Sequence, residues 1–237
     1  MTKMMTPIKP TRTKKKKNSN TTTKLALVLD MDECLIHSEF PSDEEFRGVT
    51  NYRPKETRSP EENNDDDDGV AFFEDCFEIF MSDGEKAVVN KRPGLDAFLK
   101  LASAQYDVYI FTAGLRMYIQ PVIDILDPDG VLFTGCYFRD SCVLKNGLYL
   151  KDLEIIQRPL SRVVLVDNNP ISFLPQPSNG IPVPSFYDDP YDTTLVALQK
   201  VLSHIAKKED VRPSLTAMFR LPDLLEEHQK VVLSTVM

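Results

Sequence analysis

The sequence predicts an α/β fold, in which a Rossmann-like parallel sheet carries helices on both faces. Short runs such as LALVL at residues 25–29 and VVLV at residues 163–166 are apolar at every position, which is typical of strands buried on both faces. Between such runs lie stretches with the apolar spacing of helices. With 237 residues and 42% apolar content, the chain is long enough to bury the core of one full domain.

The first predicted strand ends in two carboxylates, Asp30 and Asp32, which stand one residue apart. Paired like charges at the end of a buried strand repel each other and cost desolvation energy unless a cation lies between them. The pair by itself therefore indicates a metal site, a substrate site or an ordinary loop.

An insertion follows this strand. Residues 41–69 contain ten acidic and four basic residues and end in NNDDDDG, which predicts a solvated acidic loop and not a calcium-binding EF-hand. Residues 70–91 predict a small β-hairpin that turns around Ser82, Asp83 and Gly84. No large cap domain fits between Asp32 and Arg92, or between Thr112 and Lys151.

Helices and strands alternate from residue 94 onward. The pattern predicts helices at 94–105, 117–127 and 193–208, strands within 106–114 and 162–170, and a second hairpin or extended pair within 137–153. Helical spacing recurs at 219–232, so residues 207–237 are interpreted as a helical extension that either packs on the domain or binds a partner.

Polar side chains follow three of the predicted strands. Asp30 and Asp32 follow the first, Thr112 follows the second, and Asp167 and Asn168 follow the third. Because the carboxyl ends of parallel strands meet at one edge of the sheet, these groups are expected in one crevice. Their oxygen atoms are ligands of the kind that Mg²⁺ prefers, so a Mg²⁺ site is predicted there.

Six ordered motifs carry a resemblance to a known family. LVLDMDECL matches the D-x-D-x-[TV] signature of the haloacid dehalogenase superfamily. More narrowly, DMDECLIHSEF, KRPG, FTAGLRMYIQPVIDILD, FRDSC, YLKDL and VVLVDNNPISF resemble the small phosphatases that act on the C-terminal domain of RNA polymerase II. The resemblance covers residues 24 to 206, with two departures: Cys34 replaces the usual Thr or Val, and the acidic insertion is unusual.

The resemblance implies a mechanism with a division of labour. Asp30 would be the nucleophile that forms an aspartyl-phosphate, and Asp32 would act as general acid and then as general base. Thr112 and Lys151 would contact and neutralise the phosphoryl oxygens. The alternatives are that Thr112 only finishes a strand and that Lys151 is a surface lysine.

The same resemblance implies which residues hold the metal. Mg²⁺ would be bound by Asp30, by the backbone carbonyl of Asp32 and by Asn168, with Asp167 close by or acting through water. The expected cofactor is thus Mg²⁺, and the expected reaction is hydrolysis of phosphoserine in a protein.

Substrate recognition is expected at three further residues. Phe40 and Tyr118 would line a groove that receives a proline of an extended phosphopeptide, and Arg139 would contact phosphate. For Phe40 the alternative is a half-buried core position, and for Arg139 it is an ion pair with Asp140 or Asp152. The expected partner is a phosphorylated protein, with the RNA polymerase II C-terminal domain as the favoured substrate, and neither nucleic acid nor membrane is expected as a direct partner.

Composition divides the chain into segments. Eight of its 28 Lys and Arg residues and none of its 36 acids lie in residues 1–24, so residues 1–23 are interpreted as a disordered basic tail. This tail is either a nuclear-import signal or a solubilising segment. The phosphatase domain is predicted to span 24–206. Four cysteines without C-x-x-C spacing are expected to be reduced thiols.

The chain has no signal peptide and no apolar run of ~18 to 20 residues, so it is expected in the nucleus or the cytoplasm. The family resemblance and the basic tail together favour the nucleus, with the cytoplasm as a second location. Three rival interpretations stay open. They are a non-catalytic scaffold of the same fold, a nucleic-acid-binding protein acting through the basic tail, and a phosphatase of another phosphoprotein or of a regulator at a membrane surface.

Overall fold

The structure, a computed structural model, describes residues 24–40 and 75–226. The predicted basic tail, the acidic insertion, residues 70–74 of the hairpin insert and residues 227–237 of the extension lie outside the described residues. The strands are β1 (Ala26–Leu29), β2 (Ile36–Glu39), β3 (Cys76–Phe80), β4 (Lys86–Lys91), β5 (Asp107–Phe111), β6 (Gly135–Tyr137), β7 (Val143–Lys145), β8 (Leu148–Leu150), β9 (Val163–Asp167) and β10 (Gly180–Pro182). The helices are α1 (Leu95–Gln105), α2 (Arg116–Leu126), α3 (Thr194–Ile205) and α4 (Arg212–Phe219).

A five-stranded sheet in the order β10-β9-β1-β5-β6 forms the centre of the fold. All four of its strand pairs are parallel, and β1 lies in the middle with β5 and β9 as neighbours. Every residue of β1 and of β9 is buried, which explains why both are apolar on each side until a polar residue ends them. The predicted α/β class with a parallel sheet is confirmed.

The two faces of this sheet are covered differently. Leu27 and Leu29 of β1 point into a core cluster that includes the buried faces of α1, α2, α3 and α4. Ala26 and Val28 point the other way, into a smaller cluster with Leu153 and Phe173. Leu153 and Phe173 belong to short 3-10 helices, Leu153–Ile156 and Pro170–Phe173. The second face is therefore covered by shorter helices than the first.

A second, antiparallel sheet in the order β2-β4-β3 contains the predicted hairpin. Its turn uses Gly84 at φ 90°, a left-handed conformation that a side chain would make costly. Strand β2 follows directly on the loop with the two carboxylates, so this sheet extends the edge of the site. The other predicted hairpin is β7 with β8.

Residues between 207 and 226 pack on the domain. Helix α4 buries Leu215, and the helical residues 221–226 bury Leu221 against the second face of the sheet. The observed helix Arg212–Phe219 begins earlier than the predicted helical spacing at 219–232, and Arg220 at φ 51° separates it from residues 221–226. Within residues 24–40 and 75–226, no helix is long and apolar enough to cross a membrane.

Candidate active site

All nine of the predicted site residues line one cavity of about 600 Å³ at the carboxyl edge of the central sheet. Asp30 directly follows β1, Thr112 directly follows β5, and Asp167 is the last residue of β9. Because β1 lies between β5 and β9, these three side chains are neighbours. Lys151 reaches the same cavity from the end of the β7–β8 hairpin.

Lys151 is the counter-ion of two carboxylates. Its side chain is 2% exposed, and its Nζ donates to Asp30 Oδ1 and, over 2.5 Å, to Asp167 Oδ2. Burial alone would lower the pKa of Lys151, but the two carboxylates outweigh it and raise that pKa above the usual value. The side chain is therefore charged, and the alternative of a surface lysine is wrong.

Asp30 and Asp32 have different surroundings although they are two residues apart. Burial raises the pKa of Asp30, and the opposing charge of Lys151 offsets only part of this effect. Burial also raises the pKa of Asp32, whose Oδ1 accepts a hydrogen bond from the Tyr118 hydroxyl. Glu33, at φ 56°, turns the chain after Asp32, and both Asp30 and Asp32 line the cavity.

Thr112 continues the hydrogen bonding of β5 and also stabilises the turn that follows this strand. Its backbone N–H donates to the Tyr137 carbonyl over 3.0 Å, and its Oγ1 accepts from the Gly114 N–H over 2.9 Å. A Cβ on Gly114 would come within 2.6 Å of Ile119 Cγ1, so only glycine fits there without displacing helix α2. The hydroxyl of Thr112 lines the cavity while being fully buried.

The acidic end of the cavity could hold a hard cation. Oxygen atoms of Asp30 and Asp167 already converge on one cation, the Lys151 ammonium. Asn168 lies beside them, and its Nδ2 donates to Ser185 Oγ over 2.9 Å, a bond that uses only its nitrogen. Among the described residues, no group of three or more His, Cys, Asp or Glu residues forms a metal site. A cation here would therefore take amide, backbone or water oxygens as well, which suits Mg²⁺.

Phe40 and Tyr118 line the cavity on the side of the antiparallel sheet. Their ring centroids lie 5.3 Å apart in an edge-to-face arrangement. Phe40 is 53% exposed, so the alternative that it is a half-buried core residue is wrong. Together the two rings form an exposed aromatic surface at the mouth of the cavity.

Arg139 also lines the cavity. Its Nε donates to the Ala113 carbonyl over 2.5 Å, and its guanidinium carbon lies 5.2 Å from the centroid of the Tyr149 ring. Within the described part of the chain, it pairs with neither Asp140 nor Asp152. The alternative that Arg139 pairs with one of these two carboxylates is therefore wrong.

A profile of the family described as NLI interacting factor-like phosphatase matches residues 25–212, which is most of the chain and the whole of the sheet. The chain belongs to this family. The resemblance drawn from the sequence motifs is thereby confirmed.

Relatives of this phosphatase family give the same result. The human protein "CTD small phosphatase-like protein" is 36% identical over 190 residues, which cover 79% of this chain and 58% of that protein. "CTD small phosphatase-like protein 2" of Dictyostelium discoideum is 34% identical over 205 residues, covering 86% of this chain and 31% of that protein. The chain thus spans less than two thirds of the length of these two relatives. "CTD nuclear envelope phosphatase 1B" of Danio rerio is 34% identical over 202 residues, covering 80% and 70%.

The fold is shared with a solved structure described as Fcp1, an essential RNA polymerase II CTD phosphatase. That structure superimposes with a TM-score of 0.59 at 20% identity, covering 78% of this chain and 63% of the other. The likeness confirms the predicted haloacid dehalogenase fold.

Two residues at the family's site were not predicted from the sequence. Arg92, in the KRPG motif, is fully buried, and its Nη1 donates to the Cys34 carbonyl over 2.8 Å. It thereby holds the loop that carries Asp32. Glu33 lines the cavity, and its Oε2 lies 3.4 Å from Asn168 Nδ2. The sequence carries no periodic signal for the burial of an arginine. It does show that Arg92 stands directly before a Pro-Gly turn.

Proposed function

We propose that this protein is a Mg²⁺-dependent protein serine phosphatase that forms an aspartyl-phosphate on Asp30. The observation that carries the proposal is that two neighbouring carboxylates have different hydrogen-bond partners. Asp30 is bonded to the ammonium of Lys151, whereas Asp32 is bonded to the neutral hydroxyl of Tyr118. The Lys151 ammonium stabilises the carboxylate form that a nucleophile needs against the burial that raises the pKa of Asp30, and a neutral partner suits a group that gains and loses a proton.

In the first step, an oxygen of the Asp30 carboxylate attacks phosphorus. The bond between phosphorus and the seryl oxygen breaks, and Asp32 gives its proton to that oxygen as serine leaves. The products are the dephosphorylated serine and an acyl phosphate on Asp30.

In the second step, water attacks the same phosphorus atom. Asp32, now a carboxylate, takes a proton from this water, and the bond between phosphorus and the Asp30 oxygen breaks. Inorganic phosphate leaves, Asp30 is a carboxylate again, and Asp32 carries the proton needed for the next cycle.

The charge on the phosphoryl oxygens is balanced by this chain's own groups and by the metal. Lys151 contributes a buried ammonium, and the hydroxyl of Thr112 with the amide after it contributes hydrogen-bond donors. Asp30, the Asp32 backbone carbonyl and Asn168, with Asp167 nearby, would hold Mg²⁺, which would supply Lewis-acid stabilisation of phosphoryl charge.

We further propose phosphoserine in the heptads of the RNA polymerase II C-terminal domain as the substrate. An open cavity with an aromatic surface at Phe40 and Tyr118 suits an extended, proline-containing peptide, and Arg139 in the same cavity suits its phosphate. The names of two relatives, which refer to a CTD, and the description of the Fcp1 structure, which refers to the RNA polymerase II CTD, support the same choice. The nucleus, with the cytoplasm as a second location, is proposed on the same basis.

The test is hydrolysis of p-nitrophenyl phosphate by the wild-type chain and by Asp30→Asn, with and without Mg²⁺. We expect activity that requires Mg²⁺ and falls at least ~10³-fold in the variant. A thermal melt gives a second readout, since Mg²⁺ is expected to raise the melting temperature of the wild type and to raise that of Asp30→Asn much less. A folded wild-type chain that binds Mg²⁺ but hydrolyses nothing would favour the non-catalytic scaffold.

Substrate choice has its own test. A panel of phosphopeptides should show the highest kcat/KM for a phosphoserine followed by proline within a heptad sequence. A clear preference for an unrelated phosphopeptide would keep the enzyme and replace the substrate by another phosphoprotein.

A further inference from the structure

We propose that Tyr118 is a positioning residue for Asp32: its hydroxyl holds Oδ1 of the carboxyl group, so that Oδ2 is the oxygen that exchanges a proton with the leaving group. This inference rests on the proposed function and deepens it. Sequence analysis assigned Tyr118 only to an aromatic surface for a substrate proline.

The hydroxyl of Tyr118 stands between two oxygens. It donates to Asp32 Oδ1, and it lies 2.6 Å from Ser38 Oγ. A phenol has one hydrogen, so when it donates to the carboxyl group it must accept from the serine. The direction of both hydrogen bonds is therefore determined by the chemistry of the three groups.

The other oxygen of the carboxyl group is left for the reaction. Among the described residues, the hydrogen bonds of the Asp32 side chain engage only Oδ1, and Asp32 lines the cavity. A carboxyl group that presents the same oxygen in both steps gives and takes the proton without rotating during the cycle. The hydrogen bond from Tyr118 holds Oδ1 in place. It therefore prevents the carboxyl group from rotating to turn Oδ1 toward the substrate.

Tyr118 is itself held at both ends. Its ring packs edge-to-face on Phe40, with centroids 5.3 Å apart, and its backbone N–H donates to the Leu115 carbonyl over 3.0 Å at the start of α2. Ser38 belongs to β2, so the hydroxyl joins the helix, the antiparallel sheet and the carboxylate loop. Fixing the partner in this way limits how far the Asp32 side chain can rotate.

The consequence depends on the leaving group. A seryl oxygen is a poor leaving group and needs a proton, whereas p-nitrophenolate leaves readily without one. Loss of the Tyr118 hydroxyl should therefore slow the cleavage of phosphoserine more than the cleavage of an activated aryl phosphate. A residue that only supports the fold would slow both reactions equally.

The experiment compares wild type with Tyr118→Phe, which keeps the ring and removes the oxygen, on a phosphoserine peptide and on p-nitrophenyl phosphate. We expect kcat for the peptide to fall ~10- to 100-fold, kcat for the aryl ester to fall by a much smaller factor, and KM for the peptide to change little. Ser38→Ala, which leaves the tyrosine in place, should produce the same pattern at a smaller amplitude.

Tyr191→Phe is the matched control, because it removes the hydroxyl of a tyrosine that is 81% exposed and does not line the cavity. It should leave KM for the peptide and both kcat values unchanged. Equal losses for both substrates in a Tyr118→Phe chain with a wild-type melting temperature would overturn the inference. If Asp30→Asn were as active as wild type, the proposed function itself would fail. If Asp30→Asn were inactive and Tyr118→Phe were fully active, only the inference about Tyr118 would fail.

Discussion

Arg92 and Asp192, which are 100 residues apart in the chain, form a two-point ion pair. Nε of Arg92 lies 2.9 Å from one carboxylate oxygen of Asp192, and its Nη2 lies 2.7 Å from the other. The same guanidinium donates to the carbonyl oxygens of Cys34 and Pro184. One buried side chain thus joins the carboxylate loop after β1 to the segment before α3.

Replacing Asp192 by Asn should therefore destabilise the fold. The fully buried Arg92 would keep its charge and lose its counter-ion, which we expect to cost about 3 kcal/mol in the free energy of unfolding. Urea denaturation measures this loss. Asp210→Asn is the control, because its pair with Arg212 is largely exposed and should cost less than about 1 kcal/mol. Similar losses in the two variants would contradict the prediction.

The same pair should make the stability depend on pH. Burial opposes ionisation of Asp192, but hydrogen bonds from Arg92 and Thr194 outweigh it and lower the pKa of this carboxyl group. A lowered pKa stabilises the fold above the unfolded value near ~4, and the stabilisation is lost as pH falls through the folded value. The unfolding free energy of the wild type should fall more steeply than that of Asp192→Asn as pH decreases below ~4. Parallel curves from urea denaturation would refute this expectation.

Whether a strand could be predicted from the sequence depends on the pattern of its residues. Strands β1, β5 and β9 were predicted because each is a continuous apolar run, and the polar residues that end them were therefore expected to meet. Strands β2, β6 and β10 were missed because runs of three or four residues without alternation carry no periodic signal.

Contacts between side chains were harder to predict than strands. The bond from Tyr118 to Asp32 depends on where the first turn of α2 faces, and that orientation is decided by packing between segments 86 residues apart. The burial of Phe40 was likewise undecided, because an aromatic residue at the end of a strand fits a core position and an exposed surface equally well. Both cases are decided by tertiary structure, which a local pattern does not encode.

Lys151→Met should weaken both stability and catalysis. Asp30 and Asp167 would be left buried without their ammonium, so we expect a loss of about 3–5 kcal/mol at neutral pH in the absence of Mg²⁺. Part of this loss should return with Mg²⁺, because the metal supplies a cation at the same carboxylates. The value of kcat should fall ~10²- to 10³-fold.

Lys145→Met provides the comparison for Lys151→Met, since Lys145 lies on β7 of the same hairpin and is exposed. Its unfolding curve and its kcat should both stay close to those of the wild type. Full stability and full kcat in Lys151→Met would show that the buried ammonium is dispensable.

Leu215→Ala should show that the residues after 206 belong to the folded domain. Leu215 is 1% exposed in the core cluster under α4, so the cavity left by the substitution should cost about 2–5 kcal/mol. Met218, on the same helix, is 45% exposed, and Met218→Ala should change the unfolding free energy by less than about 0.5 kcal/mol. Urea denaturation measures both losses. If the loss for Leu215→Ala were as small as that for Met218→Ala, α4 would contribute nothing to the stability of the domain.

The central position of β1 has a consequence for how the protein is made. This strand is near the start of the described chain, yet its two partners begin at Asp107 and Val163. During synthesis on the ribosome, β1 must wait for both partners, and contacts between such distant segments form slowly. Asp30 therefore meets Asp167 only after most of the domain has been translated, so a nascent or truncated chain ending before β9 would lack one wall of the site.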